Sequence, residues 1–276
     1  MVNSKPNIIE RALVGKHSDV DCEDGIVISK HFVAVIDGST SKTSDHYHPT
    51  MRNGRYAMTL ISKYLINQAS PMLTMEEFCE GVTEYIHQVY RQDDAIPRLS
   101  PQKRLCASVV VYNVTRREIW MIGDCQCCID GSVYTNNKPC EAAIAEKRSR
   151  IFPCLQAVHS DMVVNGQLIH DYARDAVMDE LVESMKGENI DYAVIDGFHV
   201  YTPGVKVIRL SSEQCYDIVL ASDGYPFLKP TLAESEKALQ QQMASDPFNI
   251  STFKATKGCM AGNVSFDDRA FIRFTT

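Results

Sequence analysis

The chain has 276 residues, 45% hydrophobic and 23% charged, with 28 basic against 35 acidic side chains and a formal net charge of −7. That acidity argues against a nucleic-acid or anionic-membrane binder, both of which need a basic face, and no apolar run approaches the roughly 18–20 residues of a membrane helix. Ten cysteines at irregular spacing are too few for a disulfide scaffold in a chain of this length, and with no secretory apolar core in MVNSKPNIIERALVGK they are expected as reduced thiols of a cytoplasmic protein.

Strands are expected at IVIS (26–29) and FVAVID (32–37), paired as a hairpin. Two helices follow. Ala57, Ile61, Tyr64, Leu65 and Gln68 mark the apolar stripe of the first, and Phe78, Val82, Tyr85, Ile86 and Val89 that of the second, which Thr74 and Glu77 open as a capping box. The middle is β-rich, with CASVVVYNV (106–114), EIWMIGD (118–124) and CQCCID (125–130); alternation places Cys125 and Cys127 on one face and Cys128 on the other. Residues 138–151 and 170–187 read as helices, the latter ended by Gly187. YDIVLASDG (216–224) and FDDRAFIRF (266–274) are the late strands. Clustered strands with helices between the clusters indicate an α+β fold with antiparallel sheets flanked by helices. No linker or low-complexity tract divides the chain, so one domain over 1–276 is the simplest reading. AVIDG at 34–38 and 193–197 lies in unlike flanks and reads as coincidence.

Acidic residues recur at the ends of apolar strands. In the first hairpin Asp37 falls opposite Glu23 or Asp24. Asp223 ends one late strand and Asp267 and Asp268 open the next, so antiparallel neighbours bring Asp223 and Asp267 together; Asp124 ends EIWMIG and can join them. Any single Asp-Gly is ordinary turn chemistry, but several carboxylates at one sheet end repel unless a cation neutralises them. An all-oxygen set of this kind suits Mg²⁺ or Mn²⁺ and not zinc. A calcium loop at Asp19, Asp21 and Glu23 fails for want of Gly and Glu at its sixth and twelfth positions, and no GxxxxGK, GxGxxG or GxSxG motif is present.

In order, Glu23-Asp24, Asp37-Gly38, Gly123-Asp124, Ser222-Asp223-Gly224 and Asp267-Asp268 resemble the metal-dependent Ser/Thr protein phosphatases of type 2C, over roughly 15–274. The resemblance implies two antiparallel sheets in a sandwich flanked by helices on both sides, with a flap at about 155–200. It implies two ions, Mg²⁺ or Mn²⁺, and a third, weaker one. Asp37 would bridge the two with the Gly38 carbonyl on one of them; Asp223 and Asp267 would hold the other; Glu23 and Asp24 would act through waters; and Asp124 with Asp223 would take the third. Asp37 and Asp223 are thus the expected catalytic residues, acting through a bimetal-activated water that hydrolyses a phosphomonoester, with a phosphorylated protein as substrate.

This chain departs from the family pattern in three places. The family's phosphate-binding Arg, four residues before Glu23, is Asp19 here, which leaves Lys16, His17 or Arg11 to take the phosphate. The His after Asp-Gly is Ser39, with His46 and His48 in the loop beyond, and the late Asn is Asp268, which leaves the register open between Asp267 and Asp268; Asp267 is preferred over Asp268 and over the competing Gly262-Asn263-Val264-Ser265, which lacks the acid. These departures favour the alternative reading, a catalytically weak or inactive phosphatase-like domain that binds a phosphorylated partner.

Overall fold

Residues 5–90 and 94–276 are described in the structure, a computed structural model. In chain order the elements are β1 (Asn7–Val14), β2 (Asp24–Ile28), β3 (Phe32–Gly38), α1 (Asn53–Asn67), α2 (Met75–His87), α3 (Ala95–Leu99), β4 (Ala107–Asn113), β5 (Glu118–Ile122), β6 (Gln126–Ile129), β7 (Ser132–Tyr134), α4 (Glu141–Val158), β8 (Val163–Val164), β9 (Gln167–Leu168), α5 (Tyr172–Asp175), α6 (Met178–Ser184), β10 (Lys206–Arg209), β11 (Asp217–Ala221), α7 (Leu232–Ser245) and β12 (Arg269–Thr275).

Two five-stranded antiparallel sheets form, in the orders β1-β12-β11-β6-β7 and β10-β5-β4-β3-β2. They pack face to face: Val33, Val35, Val110, Tyr112 and Met121 of one meet Cys127, Leu220, Ile272 and Phe274 of the other. The outer face of the second sheet presents Ala34, Ile36, Val109, Val111 and Trp120 to Ala57 and Ile61 of α1 and to Phe78 and Val82 of α2. The outer face of the first presents Cys128, Val219 and Phe271 to Tyr225, Leu228 and Leu232, where α7 begins. The result is an αββα sandwich. Because β3 and β4 are covered on both faces, they read as nearly unbroken apolar runs. Each side chain taken fully from water there contributes about 1.5–3 kcal/mol, and that burial is what holds the register.

The Cys125/Cys127 and Cys128 split follows the alternation, with the first two between the sheets and the third outside them. All ten cysteines are free. The capping box of α2 forms, Thr74 Oγ1 accepting the Glu77 N–H and Glu77 the Thr74 N–H. Gln68 is an exposed C-cap and not part of the α1 stripe. The stretch 170–187 is not one helix: α5 and α6 are separate and a 3₁₀ turn ends them. Val177, buried against Ile144 and Leu181, leaves helical geometry between them at φ −109° and ψ 4°. The helix expected at 138–151 starts at Glu141 and runs through Pro153 to Val158. Strands β1 and β10 and helix α7 carry weak sequence signals, since β1 alternates only between exposed and half-buried positions at a sheet edge. Residues 159–175 pack with the loop after α7, where Phe152, Met162, Leu168 and Ala173 gather with Phe248 and Met260. The second AVIDG segment adds a bridge from Ile195 to Ala107, and its Asp196 is buried on Arg104 at 2.7 Å. No helix among the described residues is long and apolar enough to cross a membrane.

Candidate metal centre

The antiparallel registers bring the strand-end acids to one end of the sandwich. Asp24 lies opposite Asp37 on β2 and β3, and Asp37 lies opposite Ser108 on β4. Ser108 Oγ reaches Asp124 Oδ1 at 2.5 Å, beyond the end of β5. On the other sheet β11 and β12 pair through Ala221 and Phe271, which sets Asp223, just past the end of one strand, near Asp267, just before the start of the other. Asp37, Gly38, Asp124, Asp223 and Asp267 line one cleft of about 370 Å³. Asp24 lies behind Asp37 at 2% exposed, and Glu23 beside it at 1%.

Two close backbone approaches build this end. A Cβ on Gly38 would collide with the Gly54 carbonyl, and one on Gly54 would sit 2.6 Å from Glu23 Oε1. The first turn of α1 therefore rests directly on the end of β3 and on the Glu23 carboxylate, an approach only glycine permits. Gly123 has φ +81°, and a Cβ there would strike Ser108 Oγ, the group that orients Asp124.

The electrostatics divide the acids into two groups. Withdrawal from water, then mutual repulsion, pushes Asp24, Asp37 and Asp223 well above the usual carboxylate range. For Asp124 burial acts in the same direction, but the Lys138 ammonium at 2.7 Å outweighs it and holds the carboxyl low. Asp267 is likewise held low against burial, by Lys257 and by Lys16 at 3.1 Å. Glu23 Oε2 accepts from Thr40 Oγ1 at 2.5 Å, whereas Glu23 Oε1 and Asp24 Oδ2 are buried without a hydrogen-bond partner. Orphaned carboxylate oxygens beside acids that repel one another, in an all-oxygen donor set, fit a hard divalent cation such as Mg²⁺ or Mn²⁺. Among the described residues no three His, Cys, Asp or Glu side chains are gathered as tightly as an ion would draw them.

The other expected positions divide between the cleft and its surroundings. Lys16 Nζ is bound to Asp267 and lies 3.5 Å from Asp268, and His17 is exposed and does not line the cleft. Arg11 is an exposed residue of β1. Asp268 is tied to the backbone, accepting the N–H groups of Lys16 at 2.7 Å and Glu23 at 3.1 Å, while Asp267 faces the cleft. Ser39 lines the cleft; His48 instead packs on Tyr56 and His46 is exposed. Sequence reading missed the basic residues of the wall, Lys42, Lys138, Arg174, Lys254 and Lys257. They sit on loops or a single turn of helix, where no periodicity announces a side chain's direction.

The sequence matches no family profile and no curated protein. Solved structures similar to this chain along its length include the serine/threonine phosphatase PstP of Mycobacterium tuberculosis, at 12% identity, 96% of each chain and a TM-score of 0.46. The PPM Ser-Thr phosphatase MsPP of Mycobacterium smegmatis matches at 12%, 96% of each chain and 0.47. PppA of Pseudomonas aeruginosa matches at 10%, 99% of each chain and 0.46.

Proposed function

We propose that the chain is a metal-dependent phosphomonoester hydrolase acting on phosphoserine and phosphothreonine in proteins, one catalytic domain over 1–276 with a flap at about 155–200. The observation that carries this reading is the convergence of Asp37, Asp124, Asp223 and Asp267 on one cleft, with Asp24 paired to Asp37 and buried carboxylate oxygens of Glu23 and Asp24 left unpartnered. Asp37, the Gly38 carbonyl, Asp223 and Asp267 would hold two ions, with Glu23 and Asp24 behind them and Asp124 with Asp223 available to a third. Mg²⁺ or Mn²⁺ bound there supplies a water of lowered pKa and offsets charge on the phosphoryl oxygens.

The chain's own residues do the rest. Ser108 and Lys138 keep Asp124 ionised and aimed into the cleft. Glu23 and Asp24 are shielded from bulk water, which strengthens any charge interaction at Asp37. The basic wall draws a phosphoryl dianion toward the acids. Hydrolysis of an aryl phosphate with Mn²⁺, abolished by a chelator and by Asp37→Asn or Asp223→Asn, tests this function. A folded protein inactive with every divalent ion overturns it.

The second reading, a weak or inactive domain that binds a phosphorylated partner, is favoured by the lysines already seated on the acids. Lys138 neutralises Asp124, and Lys16 and Lys257 neutralise Asp267, where a cation would otherwise be required. Binding of a phosphopeptide without turnover selects it.

A further inference from the structure

The position expected to grip phosphate is Asp19, an exposed residue whose carboxylate accepts the Gly15 N–H at 3.2 Å. Lys16 is committed to Asp267 and Asp268, and His17 is exposed and does not line the cleft. None of these three described residues offers the cleft a free cation.

The basic residues that line the cleft are different. Lys138, Lys254 and Lys257 each pair with a carboxylate, those of Asp124, Glu146 and Asp267. Lys42 and Arg174, half-buried in the same wall, form no ion pair among the described residues. Lys42 Nζ donates to the Thr40 carbonyl at 2.6 Å, and an ammonium carries two more N–H groups. Arg174 donates through Nη1 alone, to Thr256 O at 2.8 Å and Oγ1 at 3.4 Å, which leaves its Nε and Nη2 donors uncommitted. Arg174 is also fixed in place: its backbone N–H is bound by Asp171, which is itself held by the fully buried Arg148 at 2.7 Å. Partial burial, then repulsion from Arg174, Lys257 and Lys138, lowers Lys42 to about 8, a penalty that an arriving anion relieves. Two unpaired cations from separate elements, aimed into a cleft floored by carboxylates, make a receptor for a compact dianion.

We propose that Lys42 and Arg174 bind the non-bridging phosphoryl oxygens of the substrate and of product orthophosphate, an anion subsite on the cleft wall that replaces the Asp19 position. The assignment rests on the phosphomonoester reading of the cleft, and its test is separable from turnover. Orthophosphate binding to the full chain with Mg²⁺ is measured by calorimetry for the native protein, Lys42→Met, Arg174→Met and the double variant. Each single change is expected to weaken binding at least tenfold, the loss of one charge-assisted contact. Lys42→Arg is expected to retain binding, and Lys63→Met on the exposed face of α1 to leave it unchanged. Melting curves verify that each variant folds. Aryl phosphate hydrolysis should then show a raised KM with a smaller change in kcat. Phosphate binding that depends on Lys42 and Arg174 in a protein without turnover keeps the subsite and removes the hydrolase. Equal phosphate affinity in the native protein and the double variant, or no phosphate binding by the native protein, overturns the proposal.

Discussion

Glu188 offers a quantitative test of the electrostatics of the cleft. It is 6% exposed; Oε1 receives only the Cys106 thiol at 3.8 Å, and Oε2 is buried without a partner. Burial, then repulsion from Asp196, pushes its carboxyl up to about 8 from an ordinary 4.5, against a partial pull from Lys138 and Arg104. Below pH 4.5 the group is protonated in the folded and unfolded chain alike and adds nothing to the pH dependence. Between pH 4.5 and 8 the unfolded chain releases the proton and the folded chain keeps it, so stability falls as pH rises, by about 1.4 kcal/mol per unit. Glu188→Gln keeps the shape and removes the titration. Its stability relative to the native protein is expected to rise from under about 1 kcal/mol at pH 5 to on the order of 4 kcal/mol at pH 8. Urea unfolding with a chelator present, extrapolated to water at each pH, measures this difference. A difference that stays constant across pH 5–8 refutes the assignment of a neutral, desolvated Glu188.

Arg148→Met leaves Asp171 buried without its cation and strips the carbonyls of Phe248 and Ala255 of their donor. A loss of about 3–5 kcal/mol lowers Tm by about 6–10 °C in a chain of this size, and circular dichroism melts showing under about 2 °C would contradict it. Thr74→Ala removes the cap of α2 and is expected to cost about 1 kcal/mol in urea unfolding. Mn²⁺ at about 100 times its dissociation constant is expected to stabilise the native protein by about 2.7 kcal/mol; Asp37→Asn should lose that upshift in a melt, and an equal upshift in both proteins would place the ion elsewhere.

Much of the candidate site was legible because strands have a fixed period. A hairpin over 24–38 has few registers, and the one that forms sets Asp24 against Asp37. The apolar runs of β3 and β4 marked central strands, and the Thr74–Glu77 pair marked the start of α2. Edge strand β1 carried no such signal, because a strand at an edge is not obliged to be apolar on either face.

The sequence alone therefore determined the acids, their order and the strands that present them, since burial of alternating side chains is a local pattern with large energy behind it. The opening surplus of carboxylates is in part this cluster, and the tertiary structure decided how it is balanced. Lys138 reaches Asp124 across a loop, Lys257 reaches Asp267 from the segment after α7, and Arg174 enters the cleft on a single helical turn held by a buried ion pair. A charge is paired through space and not along the chain, so no spacing in the sequence could show which cations would be spent and which left free.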